Sequence, residues 1–232
     1  MMKPSSLLLF VCGLVATLGV ACGTSGSDPT NFPEVRFRVR PSGTAKFTAE
    51  LRTNGVKHTF PTGTTFTASS DFDFYLEGAA PPYGGTFTLA PDSPGNFEVV
   101  LTVTGQSDQT ASADPAHPQA VVGSAAAAAP ASLEVRFNVC LPLSDFSTCF
   151  GPSDPGVFGV TFNGSVGDPS NTYLLFGTTP SIYFLEGARD TVNGVFALQP
   201  STGQTLVAQL YINGKLIDTA SGTHDVLLKE NL

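Results

Sequence analysis

The sequence has no tryptophan, two methionines and three histidines, and only 13% of its 232 residues are charged. Without tryptophan, the hallmark core residue of antibody-type domains is missing. His58 beside a turn, His117 and His224 stand apart, none with a second ligand at a metal-binding spacing, so they read as solvent-facing and neither a metal nor a cofactor is expected. There is no Gly-x-Ser-x-Gly elbow and no phosphate-cradling glycine loop, which removes the common hydrolase and nucleotide-binding signatures. No stretch keeps helical spacing with caps over three turns. Basic residues are also scarce: 11 against 19 acids, a net charge of −8. Such a chain is repelled by phosphate backbones, so nucleic acid is not an expected partner.

What is abundant is phenylalanine (18), glycine (24) and proline (18), enough to fill cores and to break the chain into short strands. The chain also repeats itself. Phe74-Tyr75-Leu76-Glu77-Gly78-Ala79 returns as Tyr183-Phe184-Leu185-Glu186-Gly187-Ala188, and Gly85-Thr86-Phe87-Thr88-Leu89 as Gly194-Val195-Phe196-Ala197-Leu198. Glu34-Val35-Arg36-Phe37 recurs as Glu134-Val135-Arg136-Phe137. A period of about one hundred residues points to duplicated whole domains and not to a short-repeat solenoid.

Lys3 precedes an apolar run from Leu7 to Ala21, the charged start and hydrophobic centre of an export signal. The run is at the lower limit for crossing a bilayer, and no basic stop-transfer cluster follows. Its end, Leu18-Gly19-Val20-Ala21-Cys22, resembles the lipobox of bacterial lipoproteins. The resemblance implies cleavage before Cys22 and acylation of that cysteine, with palmitate-type chains as a membrane anchor. Gly23, where the family's inner-membrane retention signal would place Asp, implies the outer membrane. The competing reading is an ordinary secretory signal with a coincidental cysteine. Gly23-Thr24-Ser25-Gly26-Ser27-Asp28-Pro29 reads as the flexible tether an anchored domain needs.

The divisions expected are a signal segment over 1–21, a tether over 22–32, a first module over 33–112, a Pro/Ala-rich linker over 113–132 and a second module over 133–232. The linker has room for one last strand near Gln119–Val122. Alternation is clear at Val35, Phe37 and Val39, at Phe72, Phe74 and Leu76, and at Phe97, Val99, Leu101 and Val103. Asn213-Gly214 between Tyr211-Ile212 and Lys215-Leu216 is the strongest hairpin signal. The fold class expected is all-β: two tandem antiparallel sandwiches, Ig-like in the broad architectural sense, after an N-terminal signal helix.

Several candidate sites follow. Arg36, Arg38 and Arg40 share one strand face, a stripe that either pairs with acids on neighbouring strands or contacts an anionic glycan or phosphate. Cys140 and Cys149, a close pair in an exported chain, read as a disulfide contributing about 2–3 kcal/mol. Two thiols or half a metal site are the competing readings, though neither a histidine nor a further cysteine lies near. The outward positions of the second copy gain apolar bulk: Ile182, Phe184, Val207 and Tyr211 replace Asp73, Tyr75, Glu98 and Thr102. This face either packs against the first copy or docks a partner protein.

Glu77 and Glu186 are the only tempting catalytic acids, but they occupy the same frame of each copy. A shared site would need their carboxylates to approach within about 5–10 Å, which side-by-side domains rarely arrange. Asp71, Asp73 and Asp168 do not form a full calcium loop. The expectation is a non-enzymatic, envelope-anchored chain with a binding or structural role. Surface adhesion or glycan binding and periplasmic assembly through an envelope protein are the alternatives, with hydrolysis behind them.

Overall fold

The computed structural model describes residues 34–124, 129–140, 157–163, 172–178, 181–186, 191–198 and 205–232, with backbone alone at 157–163, 172–178, 197, 198 and 225. Cys22, the signal segment, the tether and Cys149 lie outside the described residues. The chain is all-β and built of several sheets, with no helix among the described residues.

The first copy contributes β1 (Val35–Ser42), β2 (Ala45–Arg52), β3 (Val56–Thr59), β4 (Phe66–Ala68), β5 (Phe72–Glu77), β6 (Gly84–Leu89), β7 (Asn96–Val103) and β8 (Gln109–Ala113). β9 (Gln119–Gly123) and β10 (Ala129–Pro130) fall in the stretch expected as linker; β9 pairs with β6, and β10 lies parallel to β3. The second copy follows with β11 (Val135–Cys140), β12 (Val157–Asn163), β13 (Thr172–Thr178), β14 (Ser181–Leu185), β15 (Thr191–Leu198), β16 (Leu206–Ile212), β17 (Lys215–Gly222) and β18 (Asp225–Asn231). The Asn213-Gly214 turn joins β16 to β17 with both residues at positive φ, as a type I′ hairpin requires.

One eight-stranded sheet runs through both copies in the order β17-β16-β11-β14-β5-β1-β7-β8. Its two halves mirror each other, β8-β7-β1-β5 from the first copy and β14-β11-β16-β17 from the second. They meet where the duplicated hexapeptides pair in parallel, Tyr75 beside Tyr183 and Leu76 beside Phe184. A sheet of β10-β3-β2-β6-β9 covers the first half and one of β13-β12-β15-β18 belongs to the second.

The pairing at the join has a consequence for both cores. Successive side chains of a strand point to opposite faces. In β5, Phe72, Phe74 and Leu76 enter the first core and Tyr75 the second. In β14, Ile182 and Phe184 enter the first core and Tyr183 and Leu185 the second. The equivalent strands run side by side with their faces exchanged and their register offset by one residue. Each copy keeps its own core on its own side of the common sheet. Both faces of β5 and β14 are therefore buried along their whole length.

The glycine recurring as Gly85 of β6 and Gly194 of β15 has a steric cause. A Cβ on Gly85 would come within 2.9 Å of the Phe37 ring, and one on Gly194 within 2.8 Å of the Phe137 ring. Phe37 and Phe137 are equivalent residues, and each lies over its glycine to reach the core.

Candidate functional site

Chemistry-bearing residues gather on both sides of the β5–β14 join. On the side of the first core, Glu186 follows the last residue of β14 and its N–H donates to the Glu77 carbonyl at 2.9 Å. Its carboxylate accepts a hydrogen bond from Thr53 Oγ1 at 2.7 Å and lies 2.8 Å from His58 Nε2. His58 is on β3 and only 2% exposed, its ring 4.6 Å from that of Phe184. Its other nitrogen faces Glu134 at 3.9 Å. Glu134 in turn stands 4.0 Å from Arg136, whose guanidinium lies between the rings of Phe60 (4.9 Å) and Tyr211 (4.4 Å). Burial pushes Glu134 above the usual carboxylate range, against the pull of Arg136 and His58, and burial lowers Arg136 from its ordinary value. Cation–π contact on two faces offsets part of that desolvation.

On the opposite side the equivalent carboxyl has a different fate. Glu77 is pushed up to about 8 by burial, helped by the nearby charge of Glu34, and its Oε1 has no hydrogen-bond partner among the described residues. It is therefore a neutral acid at physiological pH. The register explains the difference between twins. His58 pairs with Leu51 on β2, whereas Tyr173 holds the corresponding position opposite Phe162 on β12.

Sequence reasoning held that the two acids would rarely approach each other. Their backbones in fact hydrogen-bond, because the copies join edge to edge through these very strands. The pleat then turns the side chains apart: Glu186 reaches Thr53 and His58 on one face, and Glu77 faces Glu34 and Tyr183 on the other.

Two of the three arginines of the stripe pair with acids. Arg38 makes a fork onto Asp73, with Nε and Nη2 each 2.7 Å from a carboxylate oxygen, and lies 3.5 Å from Asp71. Arg40 lies 3.5 Å from Glu98. Arg36 sits beside Tyr75, whose hydroxyl also donates to Asp73 at 3.3 Å. Tyr75 stacks on Tyr183 at 4.7 Å with the rings 7° from parallel. In the second copy the Arg38–Asp73 register pair becomes Asn138 opposite Ile182, so both partners changed together. Asp73 is fully buried, and Asp73→Asn is expected to cost about 2 kcal/mol through loss of two charge-assisted hydrogen bonds. Chemical denaturation at pH 7 checks it; a change within 0.5 kcal/mol would show that the fork carries no net stability.

Of the apolar positions of the second copy, Ile182 and Phe184 face the first copy. Ile182 and Phe184 are fully enclosed in the first core, Val207 is buried beside Cys140, and Tyr211 is half-buried against Arg136. None of the four forms an exposed patch: His58 of β3 and Phe60 lie against Phe184, Arg136 lies over both Phe60 and Tyr211, and Val207 packs on Cys140. Cys140 is 2% exposed at the end of β11. Among the described residues no group of three His, Cys, Asp or Glu is placed to hold a metal. No helix among them is long and apolar enough to cross a membrane.

Two open clefts flank the segment from Thr59 to Thr62. The larger, about 470 Å³, lies between Lys57, Phe60 and Pro130 of one copy and Glu134 and Asn213 of the other. The second, about 390 Å³, opens on the outer face of β2 and β6. No residue pattern singled out these clefts beforehand; the signal available was the outward Thr48, Thr86 and Thr88, which alternation assigns to solvent. No family model, curated protein or solved structure matches this chain.

Proposed function

We propose that this chain is an envelope lipoprotein, anchored through acylated Cys22, whose β-sandwich part binds or scaffolds and does not catalyse. The observation that carries the non-catalytic reading is the opposite orientation of Glu77 and Glu186. Paired-carboxylate hydrolysis needs two acids across one substrate, and here the sheet itself separates them. The His58–Glu186–Thr53 group is closed over by Phe184 and Phe60, which favours a role in holding the copies together. The lipobox-like Leu18-Gly19-Val20-Ala21-Cys22 and the polar tether after it support the anchor, and Gly23 supports the outer membrane.

Glycan binding is the second reading, favoured by the open polar cleft on β2 and β6. An assembly factor acting through Phe184 and Ile182 is disfavoured by their burial. Cys140–Cys149 pairing is part of the proposal, as an exported chain oxidises close cysteines.

Fractionation of cells tests the anchor. Wild-type protein is expected in the membrane fraction with incorporated palmitate, and Cys22→Ser in the soluble fraction without label. Equal membrane association of the variant would overturn the lipoprotein reading. Protease treatment of intact cells then decides whether the folded part faces outward or into the periplasm.

A further inference from the structure

We infer that the cleft on the outer face of β2 and β6 binds a neutral carbohydrate chain. This rests on reading the folded part as a binding module and is independent of the anchor. Across the β2–β6 ladder, Thr48 stands opposite Thr88 and Glu50 opposite Thr86. These residues line the cleft of about 390 Å³ together with Arg52 and Gln119, and Phe60 and Pro61 add apolar surface at one side. That volume lies within the range of about 300–1,000 Å³ typical of small-molecule sites.

The lining chemistry selects the ligand class. A threonine hydroxyl both donates and accepts, as does a sugar hydroxyl, and Gln119 adds two donors and an acceptor. Glu50 is held by Arg52 and by Lys57, the latter at 2.5 Å. Burial raises the Glu50 carboxyl, but these hydrogen bonds outweigh it and hold the group below its ordinary range. Glu50 engages both Arg52 and Lys57, so each base beside the cleft is already paired with a carboxylate and neither stands alone to call for a phosphate, sulfate or carboxylate. Peptide addition as a strand is excluded at this place, because β2 is hydrogen-bonded to β3, β4 and β6, and β6 to β2 and β9.

The duplication supplies an internal control. Strand register aligns Phe47 with Phe158 and Leu51 with Phe162, through their partners Leu89, Leu198, Gly85 and Gly194. The positions of Thr48, Glu50, Arg52, Thr86 and Thr88 are then held by Gly159, Thr161, Asn163, Val195 and Ala197. A sheet of this kind does not need the polar set. The first copy alone carries it, facing outward, where the core imposes no choice.

The test uses the full lipidated chain in detergent micelles on an array of neutral glucan, mannan and chitin oligomers beside sialylated and sulfated glycans. Binding to at least one neutral class is expected. Thr48→Val/Thr88→Val, near-isosteric and outward, should weaken it at least tenfold with an unchanged thermal midpoint. Gln119→Ala, on the exposed end of β9, should weaken it severalfold and serves if the double variant unfolds. Binding to acidic glycans alone, no neutral binding, or equal binding by folded variants would each overturn the inference. An anchor failure appears separately, in the fractionation of Cys22→Ser.

Discussion

Replacing Glu77 by Gln should make the protein more stable at pH 8 while leaving it nearly unchanged at pH 5. The Glu77 carboxyl is completely buried and pushed up to about 8 from an ordinary value of 4.5. In the folded state it keeps its proton; in the unfolded state it ionises with an ordinary carboxylate pKa. Below about pH 4.5 both states are protonated and the group makes no pH-dependent difference. As pH rises from there to about 8, the unfolded state alone gains from ionisation, and folded stability falls. Beyond about 8 the folded state ionises too and the loss levels off. A displacement of this size corresponds to about 5 kcal/mol, most of it developed by pH 8. Gln cannot ionise, occupies the same volume and meets the same unpaired environment as the neutral acid. Urea unfolding of both proteins at pH 5 and pH 8 measures the effect. If wild type and variant lose stability in parallel across that range, the carboxyl is already ionised in the fold and the argument fails.

The second large effect is expected from Phe184→Ala, at about 3–5 kcal/mol of destabilisation. The size follows from complete burial and from ring contacts with Phe60 at 5.6 Å and His58 at 4.6 Å. The location of the damage is the sharper prediction. Phe184 belongs to the second copy in sequence but to the first copy's core in space. Hydrogen exchange should therefore accelerate in β2, β3 and β5 of the first copy as well as in β14. Exchange confined to second-copy strands would mean that the common sheet does not couple the two cores. Unfolding in one transition is the matching expectation for wild type, since the β5–β14 ladder lies in the middle of the largest sheet.

The duplication is what made these two effects unequal between twins. At the same frame position, Glu186 met His58 and Thr53 while Oε1 of Glu77 met no hydrogen-bond partner among the described residues. Likewise Arg38 kept Asp73 where Asn138 lies opposite Ile182. Copies freed from identical surroundings diverged where their surroundings differ.

Alternation of apolar and polar residues marked β1, β5 and β7 as strands, since a half-buried strand must place every second side chain inward, but it did not show that β5 is buried on both faces. The hairpin at Asn213-Gly214 was equally legible, because few residues tolerate positive φ. The repeat was legible from Gly85 and Gly194, kept by the phenylalanine ring above each. Other features were not. For β9 the strand itself was expected near Gln119–Val122, but its place beside β6 was not, since that comes from long-range pairing. His58 looked solvent-facing beside its turn, yet it is buried, because Phe184 and Glu186 arrive from more than a hundred residues away.

By itself the sequence determined that the chain is all-β, that it is duplicated, and which side chains of β1 and β7 alternate inward, because strand period and turn chemistry act over a few residues. Only the tertiary structure decided that the copies share one sheet with their faces exchanged. That pairing joins residues far apart in the chain, and it alone settles which side of a strand meets water, a neighbouring core or another charge.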